Sequence, residues 1–231
     1  MTPAIRAERV SRTFPSPAGD VHACVDVDLT VAPGELLVVR GASGAGKTTL
    51  LNLLGGLDRP TGGRVWVGEV ETTALDEDAL ARMRREHVGF VFQSFGLLPV
   101  LTASENVELP LRIARIDPRE RDARVAEALD LVGLGAHAAQ RPGELSGGQQ
   151  QRVGIARAVV ARPRVLLADE PTGQLDSRTA ASIMDVIEDL VRTQGLAAVV
   201  TTHDPLLAAR ADRVIELHDG RVTSSSGGGT A

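Results

Sequence analysis

The sequence predicts an α/β fold in which a parallel sheet is covered by helices, and three observations predict it. Short apolar runs at Leu36 to Val39, Val165 to Ala168, Ala197 to Thr201 and Val214 to Leu217 alternate with longer helical stretches, as parallel strands joined by crossovers require. A glycine-rich octapeptide follows the first run and opens a helix. The 231 residues, 43% of them hydrophobic, are enough for one domain with its own core and no covalent staples.

Taken in order, Ile5 to Val10 and Ala23 to Val31 read as short strands, and Arg64-Val65-Trp66-Val67 as another. These predict a small antiparallel sheet beside the parallel one. Between Phe95 and Ala161 the pattern turns helical. Thr102 and Glu105 have capping-box spacing at one helix start, and Pro110 is expected to kink or end that helix. Asp117-Pro118 opens a second helix, whose apolar stripe is Val125, Leu129 and Val132 and which Gly133 stops; Glu120 and Arg124 pair on its wet face. A helical insertion over about 94–161 therefore divides a core formed by about 1–93 and 162–222. Ser177 to Gln194 carries Ile183, Ile187 and Leu190 on one side and ends at Gly195. Residues 223–231 offer no apolar run to bury and are expected to form a disordered tail.

The octapeptide is Gly41-Ala42-Ser43-Gly44-Ala45-Gly46-Lys47-Thr48, followed by Thr49. Lys47 is the one lysine among 25 basic residues. An ammonium is a compact point charge that fits within a tight loop of backbone amides, where a planar guanidinium does not. The pattern G-x-x-x-x-G-K-[ST] between a strand and a helix is a phosphate-binding loop: amides converge on phosphate oxygens and the helix N-terminus adds partial positive charge. Lys47 is expected to reach the β- and γ-phosphates, and Thr48 to offer its hydroxyl to Mg²⁺.

Asp169 and Glu170 end the run Val165-Leu166-Leu167-Ala168. Consecutive strand side chains point to opposite faces, so the two carboxylates should hold different roles. Asp169 is the expected Mg²⁺ partner, directly or through water, and Glu170 the general base for an attacking water. His203 follows Ala197 to Thr202 at the sheet edge where ligands collect; it could hold the γ-phosphate, although a cap or core histidine reads the same alone. Gln93, after Val88 to Phe92, is an amide suited to sensing Mg²⁺ or water. Ser146-Gly147-Gly148-Gln149 forms a second anion-ready helix start, with Ser146 as cap. Two such starts and one phosphate loop call for a partner subunit.

Composition narrows the class. The 25 basic residues are mixed with 30 carboxylates for a net charge of −5, so nucleic acid is not an expected partner. The single cysteine, Cys24, excludes an internal disulfide, fits a reducing compartment and reads as a small buried hydrophobe. No stretch reaches membrane-spanning length and no signal-peptide pattern opens the chain, so a cytoplasmic location is expected.

From Ile5 to about Val222 the chain resembles the ATPase subunit of ABC transporters. The phosphate loop, Gln93, Leu145 to Gln149, Val165 to Glu170 and His203 occur in that family's order and spacing. The resemblance implies a P-loop NTPase with a RecA-like parallel core, a small antiparallel β subdomain and an inserted helical subdomain. It implies ATP and Mg²⁺ as ligands, and two copies packed head to tail, with Ser146 to Gly148 of one closing on the γ-phosphate held by the other. It further implies that Phe14 stacks on adenine, where many members have tyrosine, and that Asp176 belongs to the loop coupling the two sites. Gln174 departs from that loop's usual Asn or Ala.

The stretch from Gln93 to Leu111 is similar to lipoprotein-release and macrolide-export ATPases. Phe95, Leu97, Leu98, Val100 and Leu101 are many apolar groups for an exposed loop. They either fold into the helical subdomain or form a groove for a cytoplasmic helix of a membrane permease, and the resemblance favours the groove. The expected function is an ATPase that dimerises on ATP at the inner face of a membrane and powers that permease. Signalling to cell-wall hydrolases through a membrane partner is the alternative; a soluble ATPase acting on nucleic acid or ribosomes is the remote one.

Overall fold

The chain enters through β1 (Ile5–Phe14), which pairs antiparallel with β2 (Val21–Val31) from Ile5↔Val31 to Phe14↔Val21. Both strands run beyond the apolar alternation that announced them, because register shifts carry the ladder past Val10 without an apolar side chain at each step. The structure is a computed structural model and describes residues 2–17 and 19–227. From β3 (Leu36–Arg40) the chain passes through the glycine-rich loop into α1 (Lys47–Leu54), then β4 (Gly62–Val67) and β5 (Val70–Glu71), which complete a four-stranded sheet in the order β2-β1-β4-β5.

Next come α2 (Glu77–His87) and β6 (Val88–Val91). Helix α2 has no strong apolar stripe, and sequence reading left it undefined. Its start is nonetheless encoded: Asp76 caps it by accepting from Ala79 N at 2.8 Å, and Leu80 and Met83 are its buried anchors. Helices α3 (Ala103–Ile113), α4 (Pro118–Leu131) and α5 (Gly147–Val159) follow. The Thr102/Glu105 capping box is present, and α4 stops before Gly133, whose φ is 71°. Helix α3 continues through Pro110 to Ile113 rather than ending there. A proline this close to the end removes only one intrahelical bond, from an N–H it never had.

The second sheet collects β7 (Val165–Asp169), β8 (Ala197–Thr201) and β9 (Arg213–His218), joined by α6 (Ser177–Gln194) and α7 (Pro205–Ala208), and closes with β10 (Arg221–Gly227). Its order is β10-β9-β3-β8-β7-β6, parallel from β9 to β6, with β10 antiparallel. Alternate residues of one strand enter two cores. Leu36, Val38, Leu166 and Val200 join α3, α4, α5 and α6, whereas Leu37, Val39, Leu167 and Val199 join α1 and the antiparallel sheet. Burial on both faces explains why these strands read as unbroken apolar runs.

Residues 223–227 correct the expectation of a disordered tail. Ser224 pairs with Glu216 and Ser225 with Ile215, so β10 carries the ladder to Gly227. An edge strand is held by backbone N–H and C=O groups, so an apolar pattern is not needed to place it. Residues 228–231 lie outside the described residues.

Candidate functional site

Strand β3 delivers the chain to the phosphate loop in the middle of the sheet, where no side chain fits beneath it. A Cβ on Gly46, at φ 101°, would stand 2.0 Å from the Ala23 carbonyl oxygen, and one on Gly41 would stand 2.4 Å from that of Leu217. The loop is pinned to the β9–β10 turn by Gly220 N donating to Ala45 O at 3.1 Å. Cys24 lies under it, its thiol directed at Gly46 O at 3.9 Å, and burial pushes that thiol up to about 12. No side chain caps the N-terminus of α1, so the first-turn amides of Lys47, Thr48 and Thr49 remain available to an anion.

Lys47 is 6% exposed and donates to Gly41 O at 2.8 Å and Ala42 O at 3.1 Å. Its Nζ also pairs with Glu170 Oε1 at 3.3 Å. The two carboxylates diverge because Asp169 ends β7 and Glu170, just past it, takes a left-handed turn. Asp169 accepts from Thr48 Oγ1 through Oδ2 and from Thr201 Oγ1 through Oδ1, both at 2.7 Å. Glu170 turns the other way at φ 42°, toward Lys47 and toward His203 Nδ1, 3.5 Å from its Oε2. Gly173 lets Gln93 and Glu170 approach: a Cβ there would stand 3.3 Å from Gln93 Nε2 and 3.4 Å from Glu170 Oε2.

Most of these groups border one cleft of about 620 Å³, lined by Phe14, Ser43, Gly44, Gly46, Lys47, Thr48, Thr49, Gln93, Asp169 and Glu170, with Val21, His22, Ala23 and Asp219. Phe14 is 37% exposed at its mouth, with the Arg12 guanidinium 4.5 Å from its ring centroid. A hydroxyl, a carboxylate and an amide oxygen are hard donors suited to Mg²⁺, which binds through one or two protein oxygens together with substrate phosphates and water. Consistent with such sharing, no group of three or more His, Cys, Asp or Glu among the described residues could hold a metal unaided.

Ser146, Gly147, Gly148, Gln149 and Asp176 do not border this cleft. Ser146 caps α5 by accepting from Gln149 N at 3.3 Å, and Gln149 Oε1 accepts from Ser146 N at 2.9 Å. Gly148 faces α6, where a Cβ would stand 2.4 Å from Thr179 Cγ2. Asp176 caps α6, accepting from Thr179 Oγ1 at 2.6 Å and from the amides of Thr179 and Arg178 at 3.0 and 3.1 Å; the Thr179 hydroxyl and these amides hold its pKa below the usual carboxylate value. One chain thus brings Lys47, Thr48, Gln93, Asp169, Glu170 and His203 together and leaves the second anion-ready helix start in a corner of its own.

Sequence reading missed Thr201, which is fully buried and ties both acidic residues: its hydroxyl donates to the Asp169 carboxylate and accepts from the Glu170 backbone N–H at 2.8 Å. The available signal was a hydroxyl pair, Thr201-Thr202, ending an otherwise apolar strand. Arg12, His22 and Asp219 had no sequence signal; the fold brings them to the cleft from β1, β2 and the β9–β10 turn. In the Gln93–Leu111 stretch, Phe95, Leu97 and Leu101 are half-buried, whereas Leu98 is 47% and Val100 74% exposed. An apolar groove of about 550 Å³ opens beside it, walled by Leu57, Phe90, Phe92, Leu109, Pro110 and Ile113.

Comparison with known proteins places these features. The ABC transporter family profile matches residues 24–173. The macrolide export ATP-binding/permease protein MacB of Salmonella paratyphi A is 46% identical over 222 residues, covering 96% of this chain; the chain spans 34% of that relative's length. The lipoprotein-releasing system ATP-binding protein LolD 1 of Rhodospirillum rubrum is also 46% identical over 222 residues, covering 96% of this chain and 98% of the relative. A post-hydrolysis dimeric structure of the ATP-binding cassette MJ0796, bound to ADP and Pi, superimposes with a TM-score of 0.90 at 41% identity, covering 98% of this chain and 100% of that one. No helix among the described residues is long and apolar enough to cross a membrane.

Proposed function

Because the chain belongs to the ABC transporter family, we propose that it is the Mg²⁺-dependent ATPase subunit of a transporter, dimerising on ATP to drive a membrane permease. The observation that carries this reading is the convergence of Lys47, Thr48, Gln93, Asp169 and Glu170 on one cleft while the Ser146 helix start stands apart.

ATP enters with adenine on the face of Phe14 and its phosphates on the amides of Gly41 to Thr49. Lys47 leaves its carbonyl partners and Glu170 for the β- and γ-phosphate oxygens. Thr48, Asp169 and Gln93 are the residues that would hold Mg²⁺, which when bound neutralises phosphate charge. Freed of Lys47, Glu170 takes a proton from the attacking water; His203, beside it, holds the γ-phosphate in line. The amides of Ser146, Gly147, Gly148 and Gln149 in a second copy, packed head to tail, supply the remaining γ-phosphate donors, and Asp176 lies in the segment that links the two sites.

Residues 2–222 act as one ATPase unit with the 94–161 segment as its helical insertion. The exposed Leu98 and Val100 and the adjoining groove receive a cytoplasmic helix of the permease in the Phe95–Leu111 region. That places the subunit on the inner face of the cell membrane, with no role for nucleic acid. The names of the relatives support export or extraction of an envelope-associated or hydrophobic substrate, selected by the permease.

Glu170→Gln tests the assignment. It removes the base and keeps the phosphate contacts, so ATP binding persists, turnover falls by about 10²- to 10⁴-fold, and an ATP-bound dimer accumulates on size exclusion. Normal turnover in this variant rejects the role of Glu170.

A further inference from the structure

The segment after β6 holds Gln93 at the cleft through a backbone conformation that it does not favour. Phe95 and Gly96 are both left-handed, at φ 59° and 63°, and a residue with a Cβ populates that region only when its surroundings impose it. The turn is closed by Phe95 N donating to Phe92 O at 3.3 Å and Gly96 N to Ser94 O at 2.6 Å, and one side chain braces it from α5. Arg157 of α5 donates from Nη1 to Gly96 O at 2.6 Å and from Nη2 to Phe95 O at 3.2 Å. Among the described residues no carboxylate pairs with Arg157, and burial lowers its pKa from the usual arginine value. A desolvated guanidinium whose partners are two carbonyls is an uncommon use of a charge.

Arg157 touches both sides of the problem. Together with Phe92 and Gly96 it lines the apolar groove assigned to the permease. Two residues upstream of Phe95, Gln93 stands beside Glu170 across Gly173. The rest of α5 is shaped to the same segment: Cβ atoms on Gly147 and Gly154 would stand 3.7 Å from the Phe95 ring and 3.3 Å from its carbonyl oxygen. Gln151, at i+4 from Gly147 and i−3 from Gly154, shares that stripe. It is fully buried with neither amide atom partnered, so α5 holds an unused donor and acceptor on the face it turns to the loop.

We propose that Arg157 is a positioning residue for ATP hydrolysis: its two carbonyl bonds fix the 93–96 backbone and thereby hold Gln93 at the cleft, on the Glu170 side of Gly173. The inference rests on the ATPase reading above and names how that site is governed.

The test uses the full chain. Arg157→Gln removes the charged fork and keeps one amide. Because a displacement of about 1 Å at a reacting site costs up to ~10²-fold, basal kcat is expected to fall at least ~10-fold. KM for ATP changes less than about twofold, since the phosphate loop and Phe14 are untouched, while the Mg²⁺ concentration for half-maximal velocity rises. In a Gln93→Ala background the same substitution adds less than about twofold, because the residue through which Arg157 acts is gone. Arg157→Lys, which can reach one carbonyl, restores part of kcat.

Wild-type kcat in Arg157→Gln, or equal losses in both backgrounds, overturns the proposal. Gly96→Val provides a second route that keeps the arginine but presses on it, since a Cβ there would stand 3.2 Å from Arg157 Nη2. Gly96 is exposed, so the core stands, but a β-branched residue at φ 63° must displace the segment. Its kcat is expected to fall in the same Gln93-dependent way, and an unchanged kcat also overturns the proposal. A wild-type chain without ATPase activity is a separate result and would count against the ATPase assignment itself.

Discussion

The cleft beneath the phosphate loop and the corner where α5 and α6 begin differ in how their polar groups are satisfied. In the cleft, opposite charges hold one another provisionally: Lys47 rests on carbonyls and Glu170, and Thr48 rests on Asp169. In the proposed function, Lys47 exchanges these partners for phosphate, and Thr48 and Asp169 exchange each other for a cation. In the corner, Ser146 and Asp176 already complete their caps, and the helix start waits for an anion its own chain does not bring. One region therefore holds exchangeable ion pairs and the other a completed pair of caps, an asymmetry that the proposed head-to-tail pair would use.

Breaking the cleft should have the largest effect. Lys47→Ala removes charge-assisted contacts of about 1.5–3 kcal/mol each, so ATP affinity is expected to fall roughly 10- to 100-fold by nucleotide titration. Retained affinity would mean that the loop amides suffice. Thr201→Val comes next. It deletes a buried hydroxyl that serves Asp169 and Glu170 together, and should cost about 1–3 kcal/mol in urea unfolding along with turnover.

Ser146→Ala probes the corner. Losing the cap should cost about 1 kcal/mol of stability and weaken ATP-driven dimerisation measured by analytical ultracentrifugation, while ATP affinity of the single chain stays within about twofold. A comparable loss of single-chain affinity would erase the distinction between the regions. Cys24 gives the smallest effect near neutral pH. Its thiol keeps its proton to about 12 when folded but ionises near its ordinary value of 9.0 when unfolded. Stability is therefore unchanged below that value and declines as pH rises from there toward 12, because the unfolded state then binds fewer protons. Denaturant midpoints across that range check the sign, and an unresponsive midpoint would show that the thiol ionises under the folded loop.

Legibility in the sequence followed the physics of each element. Buried parallel strands announce themselves, because both faces demand apolar side chains; β3, β7 and β8 were readable for that reason, and β9 through Ile215 and Leu217 on its one buried face. Helix α6 was readable to its last residue from its stripe and from Gly195. Helix α2 was not, since only Leu80 and Met83 anchor it, nor was β10, since backbone pairing leaves no side-chain pattern. In the site, Lys47, Asp169 and Glu170 were named by local context. Thr201 was not, because its importance comes from its neighbours across the sheet.

The sequence by itself determined the loop that cradles phosphate, the paired carboxylates and both helix caps, because each depends on residues within a few positions of one another. Only the tertiary structure decided which of them meet. Crossovers bring Thr48, Asp169 and Thr201 to one sheet edge and leave Ser146 in another place, and α5 carries the Arg157 side chain to the Phe95 and Gly96 carbonyls that follow Gln93. Contacts between residues far apart in the chain are set by packing, which no local pattern records.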